Sequence, residues 1–156
     1  MKSYFLITLA LLIPALPAWA ELETGSTLPS FTVQDQHEEE YTLQPDVEYL
    51  LVSFDMSTGK AANRYLEKKG AEYLAENNAV LLANIHGMPW VGRQFALPKM
   101  RKYPHRILLA DEPQETLLNE FPQKEKYVTV FKLDKNQLIL SIHYWNPREG
   151  NDPLKD

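Results

Sequence analysis

Three side chains that could act together in catalysis follow two buried, apolar segments of the chain. Asp55 and Ser57 come directly after the run Tyr49–Phe54, and His86 comes directly after the run Ala79–Ile85. A serine hydroxyl becomes a nucleophile when a histidine takes its proton and an acid orients that histidine. No Gly-x-Ser-x-Gly motif surrounds Ser57. We therefore favour the simpler interpretation, in which Ser57 caps a helix while Asp55 and His86 are ordinary loop residues.

Phosphate and metal chemistry have less support in the sequence. Ser57–Lys60 ends in Gly-Lys but lacks the first glycine and the final Ser or Thr of a phosphate-binding loop. The histidines at 37, 86, 105 and 143 are far apart, and no two of them form a His-x-x-x-His pair. The basic cluster Lys99–Arg106 is typical of a solvated connection between a helix and a strand. We predict no metal ligands and no cofactor.

The composition excludes several classes of function. The chain has no cysteine, which rules out thiol-disulfide exchange, thiol peroxidase chemistry and cysteine-ligated metal sites. It carries 21 acidic against 16 basic residues, a net charge of −5. Such a chain has no general electrostatic attraction to nucleic acid or to anionic lipid.

The first 20 residues have the organisation of a secretory signal peptide. Lys2 supplies the positive start, Tyr4–Ile13 is an apolar run, and Ala18-Trp19-Ala20 fits the small-x-small cleavage rule. The run is shorter than the roughly 20 apolar residues that span a membrane. We predict cleavage after Ala20, a periplasmic or secreted protein, and no transmembrane segment after cleavage; an uncleaved anchor is the alternative.

The hydrophobic pattern predicts one α/β domain at 21–145 and a flexible tail at 146–156 that is rich in proline, glycine and charge. The uninterrupted apolar runs at Tyr49–Phe54 and Ala79–Ile85 indicate strands that are buried on both faces. A helix that begins at Ser57 or Thr58 and stops at Asn77-Asn78 connects them as a parallel unit. The remaining elements are a hairpin of strands Phe31–Val33 and Tyr41–Leu43, a helix from Pro89 that ends or kinks at Pro98, a strand Ile107–Ala110, a short helix Glu115–Phe121, and strands Tyr127–Leu133 and Gln137–His143.

This order of elements resembles the thioredoxin-like superfamily, and within it the exported redoxins related to peroxiredoxins and thiol-disulfide reductases. Gly25 followed by Leu28-Pro29-Ser30-Phe31 resembles the redoxin opening. Leu51–Phe54 resembles the strand that delivers the active-site loop, and Phe131–Asn136 resembles the penultimate strand and turn. The resemblance implies a three-layer α/β sandwich with a central mixed β-sheet and an N-terminal β-hairpin.

The resemblance does not extend to the family's catalytic residues. The two cysteines of the family should fall within Met56–Gly59, and its cis-proline should fall near Val128, but the chain has neither. What the resemblance implies is therefore a degenerate member of the superfamily, with a fold and a location for the ancestral site but no oxidoreductase activity.

Ligands of open α/β sheets bind at the carboxyl ends of the strands. The loops 55–60 and 86–90 should therefore lie together, and the start of the strand at Tyr127 should approach them. We predict a redox-inactive, non-catalytic module that binds a protein or peptide of the cell envelope in this cleft or by strand addition. The alternatives are a cysteine-free enzyme and a small-molecule carrier. The residues of the candidate cleft are Asp55, Met56, Ser57, His86, Trp90 and Tyr127.

Overall fold

The computed structural model describes residues 20–155, so the predicted signal peptide lies outside the described residues except for Ala20. Seven strands form one sheet, and four α-helices flank it. The strands are β1 (Thr32–Asp35), β2 (Glu40–Thr42), β3 (Tyr49–Ser53), β4 (Ala79–Asn84), β5 (Ile107–Ala110), β6 (Val128–Leu133) and β7 (Ile139–Trp145). The helices are α1 (Met56–Lys69), α2 (Tyr73–Glu76), α3 (Trp90–Met100) and α4 (Glu115–Glu120), with a 3-10 turn at Glu112–Gln114.

The sheet is mixed and has the spatial order β2-β1-β5-β4-β3-β6-β7. The strands β3, β4 and β5 are parallel to one another, whereas β1, β2, β6 and β7 pair antiparallel to their neighbours. This confirms the predicted mixed sheet, the N-terminal hairpin and the parallel unit around α1. The carboxyl ends of β3 and β4 consequently open at the same edge of the sheet.

Burial on both faces explains why the segment of β3 is apolar without alternation. Leu50 and Val52 face one core, which α4 covers, while Leu51 faces a second core, which α1 covers. All three side chains are completely buried. A strand with one solvated face would alternate apolar and polar residues. The central strands therefore separate two cores that lie on opposite faces of one sheet.

The helical regions differ from the sequence prediction at two positions. We expected one helix up to Asn77-Asn78, but α1 ends at Gly70, whose φ of 108° is left-handed and suits glycine. The short helix α2 follows before β4. Pro98 was expected to end or kink α3; the helix does not end there but continues to Met100, because a proline in the last turn removes a single backbone hydrogen bond.

Residues 146–155 make defined contacts, although their composition predicts a loose tail. The Trp145 indole N–H donates to the Asn151 carbonyl at 3.0 Å, and its ring lies edge-on to Tyr65 on α1. Asp152 accepts hydrogen bonds from Lys69 Nζ and from the Tyr73 hydroxyl. The tail thus covers part of α1 with polar contacts that its composition does not reveal. Among residues 20–155, no helix is long and apolar enough to cross a membrane.

The contacts of Asp152 lead to a prediction about stability. Burial disfavours its ionised form, but the hydrogen bonds from Tyr73 and Lys69 outweigh burial and hold the Asp152 pKa below its usual value. We expect Asp152→Ala to lower the free energy of unfolding by about 1–3 kcal/mol at neutral pH, measured by urea denaturation. The matched control Asp46→Ala removes an exposed carboxylate and should change it by less than about 0.5 kcal/mol. Equal effects of the two variants would contradict the packing of the tail.

Candidate functional site

An open groove of about 240 Å³ lies between α1 and α3, at the edge of the sheet where β3 and β4 end. Its floor includes Ser53 and Asn63, which are both almost fully buried. Most of its walls are apolar and flexible. The large apolar side chains that line it are Met56, Met88, Phe95, Met100 and Tyr103.

The first turn of α1 forms one wall, and its geometry follows from two residues. The Asp55 carboxylate accepts a hydrogen bond from the Thr58 backbone N–H at 2.8 Å, so Asp55 caps the helix. The prediction that Ser57 or Thr58 caps the helix is wrong, since both lie inside it. Gly59 allows α1 to approach β3 closely, because a Cβ atom there would lie 3.2 Å from Ser53 Oγ.

Helix α3 forms the other wall, and Arg93 holds it in place. Its guanidinium Nη1 donates to Asp111 Oδ2, and its Nη2 donates to Asp111 Oδ1 at 2.7 Å. Nη2 also donates to the Ile85 carbonyl. Its Nε donates to the Met88 carbonyl at 3.1 Å. The hydrogen bonds from Arg93 lower the pKa of Asp111, which keeps this carboxylate ionised. One side chain therefore ties the loop after β4, helix α3 and the end of β5 together.

A buried polar chain supports the floor of the groove from behind. The Asn63 amide donates to the Gly59 carbonyl at 3.0 Å, and this orients its oxygen toward His105. His105 Nε2 therefore donates to Asn63 Oδ1 at 2.8 Å, while Nδ1 is buried without a hydrogen-bond partner among residues 20–155. Burial lowers the pKa of His105 to about 4. The neutral imidazole is thus a structural part of the site at neutral pH.

The three side chains considered for serine chemistry have separate partners. Asp55 caps α1, Ser57 Oγ accepts a hydrogen bond from Arg148 at 2.8 Å, and His86 Nε2 lies 3.7 Å from the Glu115 carboxylate. No hydrogen bond joins any two of them in the part of the chain that the structure describes. The arrangement that activates a serine is not formed here.

Two of the six residues of the candidate cleft, Asp55 and Met56, line the groove, and the others do not. Trp90 begins α3 and is 72 % exposed. Lys124 Nζ lies 4.0 Å from the ring centroid of Tyr127, outside the groove. Residues 20–155 contain no group of three or more His, Asp or Glu side chains placed to hold a metal ion.

The sequence reasoning missed the wall that α3 contributes. Gly92, Phe95, Ala96, Lys99 and Met100 line the groove at helical spacing. The helical spacing of these residues could have indicated that they share one face of α3. It does not indicate that this face lies opposite α1. The side of α3 that faces α1 is set by Arg93 and Asp111, which are separated by 18 positions in the sequence.

Unlike α1, α2 and α4, helix α3 has no buried residue. Val91 is 58 % exposed and Phe95 is 67 % exposed on this helix, and Met56 is 58 % exposed across the groove. Contiguous exposed apolar side chains of this kind mark interaction sites on soluble proteins. The groove therefore has an apolar border that extends beyond its own lining.

Sequence comparisons identify no relative of this chain. No model of a known protein family matches it, and no curated protein matches it.

Solved structures identify the fold. The thioredoxin domain of a thiol-disulfide oxidoreductase from Bacteroides vulgatus is 16% identical, with a TM-score of 0.54 over 81% of this chain and 93% of that chain. A peroxidoxin from Mycobacterium tuberculosis is 17% identical, with a TM-score of 0.54 over 83% of this chain and 92% of that chain. A thio-disulfide isomerase from Thermus thermophilus is 21% identical, with a TM-score of 0.51 over 83% of this chain and 92% of that chain. The thioredoxin-like fold predicted from the sequence is confirmed, in a chain that has no cysteine.

The contacts of Arg93 predict how α3 responds to substitution. Arg93→Lys keeps the positive charge but cannot hold Asp111 through two nitrogens while also bonding two carbonyls. We expect amide hydrogen exchange in residues 86–100 to become at least several-fold faster, because α3 has no fully buried residue and only partial burial of Met100 would retain it. Arg64→Lys, an exposed position on α1, is the control and should leave this exchange unchanged. The same protection in both variants would show that Arg93 does not position α3.

The environment of His105 predicts a pH dependence of stability. Its pKa is about 4 in the folded protein and about 6.5 when unfolded, so the neutral form favours folding. This contribution is complete above pH 6.5 and is lost as the pH falls from 6.5 to 4, with a slope of at most about 1.4 kcal/mol per pH unit. His105→Gln can still donate to Asn63 but does not titrate, so its unfolding free energy should vary less across this window. The exposed His37→Gln control should retain the wild-type slope; equal slopes in all three proteins would refute the assignment.

Proposed function

We propose that this chain is a redox-inactive protein of thioredoxin-like fold that binds a protein or peptide of the cell envelope in the groove between α1 and α3. The observation that carries the proposal is the open apolar groove, bordered by a helix that exposes large apolar side chains. The location in the envelope rests on the signal-like N-terminal segment of the sequence.

The chemistry of the groove favours binding over catalysis. It lies where β3 passes into α1, the position at which related oxidoreductases are expected to carry their cysteines, but this chain has no thiol to react there. Ser57 and His86 are engaged with Arg148 and Glu115, and the acid that would orient the histidine caps a helix instead. Because these polar side chains already have partners, a ligand in the groove would mainly contact its apolar surface.

The size of the groove favours inserted side chains over an enclosed small molecule. Pockets for drug-sized ligands and cofactors usually measure about 300–1,000 Å³ and bury most of the ligand. The groove measures about 240 Å³ and is open, so it suits one or two apolar side chains of a partner. The exposed Met56 and Phe95 would be covered by the segment that carries those side chains. Burying such anchors is how most of the binding energy of protein interfaces arises.

Filling the groove tests this function directly. A Cβ atom at Gly92 would lie 3.3 Å from Cγ of Met88, and a small shift of that flexible side chain accommodates Gly92→Leu, which places a large side chain in the groove. We would select peptides from a random library against the purified protein and measure the affinity of the enriched peptides by calorimetry. We expect Gly92→Leu to weaken binding at least tenfold without lowering the thermal midpoint.

The control for this experiment is an exposed apolar residue elsewhere. Leu140 on β7 is 46 % exposed and lies away from the groove, so Leu140→Ala should bind the same peptides with wild-type affinity. Peptides that bind the wild type and Gly92→Leu equally, or a library without any enriched peptide, would contradict the proposed function. Loss of binding in Leu140→Ala alone would instead point to strand addition at the edge of the sheet.

A further inference from the structure

The rim of the groove is basic, although the chain as a whole is acidic. Lys60 projects from α1 and Lys99 from α3, and both line the groove from opposite walls. Arg64 follows Lys60 by one helical turn, and both Arg64 and the more strongly acting Glu67 interact electrostatically with Tyr103, which lines the groove. Across residues 20–155, none of these three cations has an ion-pair or hydrogen-bond partner on its side chain.

Four other cations of the chain are paired. Lys69, Arg93, Arg101 and Arg106 each pair with a carboxylate. The acidic residues near the groove offset only part of the positive charge of its rim. Asp55 lines the groove but accepts the capping hydrogen bond of α1, and Glu67 lies near Tyr103 together with Arg64. The groove therefore combines an apolar floor and walls with a local excess of positive charge.

We infer that the segment bound here is acidic, with an apolar side chain in the groove and carboxylates flanking it that meet Lys60 and Lys99. This inference rests on the proposed function and specifies the chemistry of its partner. Three of the large apolar side chains in the lining, at positions 56, 88 and 100, are methionines, which adapt to different partner side chains. Charge on the partner, rather than the shape of its apolar anchor, then supplies the selectivity.

The charge distribution argues against two other occupants. A polyanion such as nucleic acid would be repelled by the net charge of −5, since its charges extend beyond the screening length of about 8 Å at physiological salt. A second copy of this chain that faces the same groove would bring Lys60 and Lys99 against their own counterparts. A short segment with a few carboxylates approaches the rim locally and avoids both penalties.

Synthetic peptides of one design test the inference. Each has a central phenylalanine, and the positions on both sides carry glutamates, glutamines or lysines. Exposed ion pairs contribute little individually, so two of them should make the glutamate peptide bind up to about tenfold more tightly than the glutamine peptide at low salt. The lysine peptide should bind most weakly, and the differences should shrink as salt is raised.

Charge reversal on the protein provides the matched variants. Lys60→Glu with Lys99→Glu should invert the order, so that the lysine peptide binds best. Lys135→Glu is the control, because the turn between β6 and β7 lies near the start of β3, where Leu133 bonds to Glu48, and the groove lies at the other end. It should preserve the wild-type order of the three peptides.

The outcomes separate this inference from the proposed function. Equal affinity of the three peptides, with binding lost in Gly92→Leu, would overturn the acidic partner and leave the groove as a binding site. Failure of the glutamate peptide to bind at millimolar concentration would also overturn it, if the random library yields groove-binding peptides without acidic residues. A library that yields no groove-binding peptide at all would overturn the function and the inference together.

Discussion

The pairing of the Arg93 guanidinium with the Asp111 carboxylate holds the helix that forms one wall of the groove. Two nitrogens meet two oxygens, and the remaining donors satisfy carbonyls at Ile85 and Met88. A bidentate pair of this kind fixes direction as well as distance. Helix α3 has no fully buried side chain, and Met100 in its last turn is only partly buried against a core, so hydrophobic burial constrains its position weakly. The apolar wall opposite α1 thus depends on a polar contact made at the end of β5.

The other wall depends on steric and capping constraints at the start of α1. Asp55 satisfies a free backbone N–H group at the helix start, and Gly59 allows the helix to lie close to Ser53. Behind it, Asn63 and a neutral His105 continue a hydrogen-bonded chain toward the hairpin, where Gln36 bonds both to the His105 carbonyl and to the Ile107 N–H. Buried polar groups that are paired in this way hold backbone segments at fixed separations. The floor is therefore held by hydrogen bonds, whereas the methionine side chains that line the groove can adopt several rotamers.

Much of the fold could be predicted from the sequence, whereas the shape of the site could not. The strand at Ile107–Ala110 was placed with its observed bounds, and β3 and β4 to within a residue, because apolar runs buried on two faces give a strong local signal. The break at Gly70 was missed, since the apolar spacing continues into α2 and only the backbone angle shows the interruption. The groove was missed because it depends on how α3 faces α1. Ser57 or Thr58 was predicted to cap α1 because both residue types favour that position, as does Asp55, which lies two positions before Ser57. The sequence alone does not show which of these residues precedes the helix.

The exposure of one face of α3 has a consequence for how such a protein can change over generations. Substitutions at Val91 or Phe95 alter a surface that contributes little to folding, because these side chains are largely exposed and the cores on the two faces of β3 are complete without them. Most substitutions in a packed core are costly, whereas those on such a surface are nearly neutral for stability. Mutations in this one helix can therefore change the surface of the protein while its folded state stays above the stability that selection requires. A thioredoxin-like scaffold without thiols can in this way keep diversifying at its surface without rebuilding its interior.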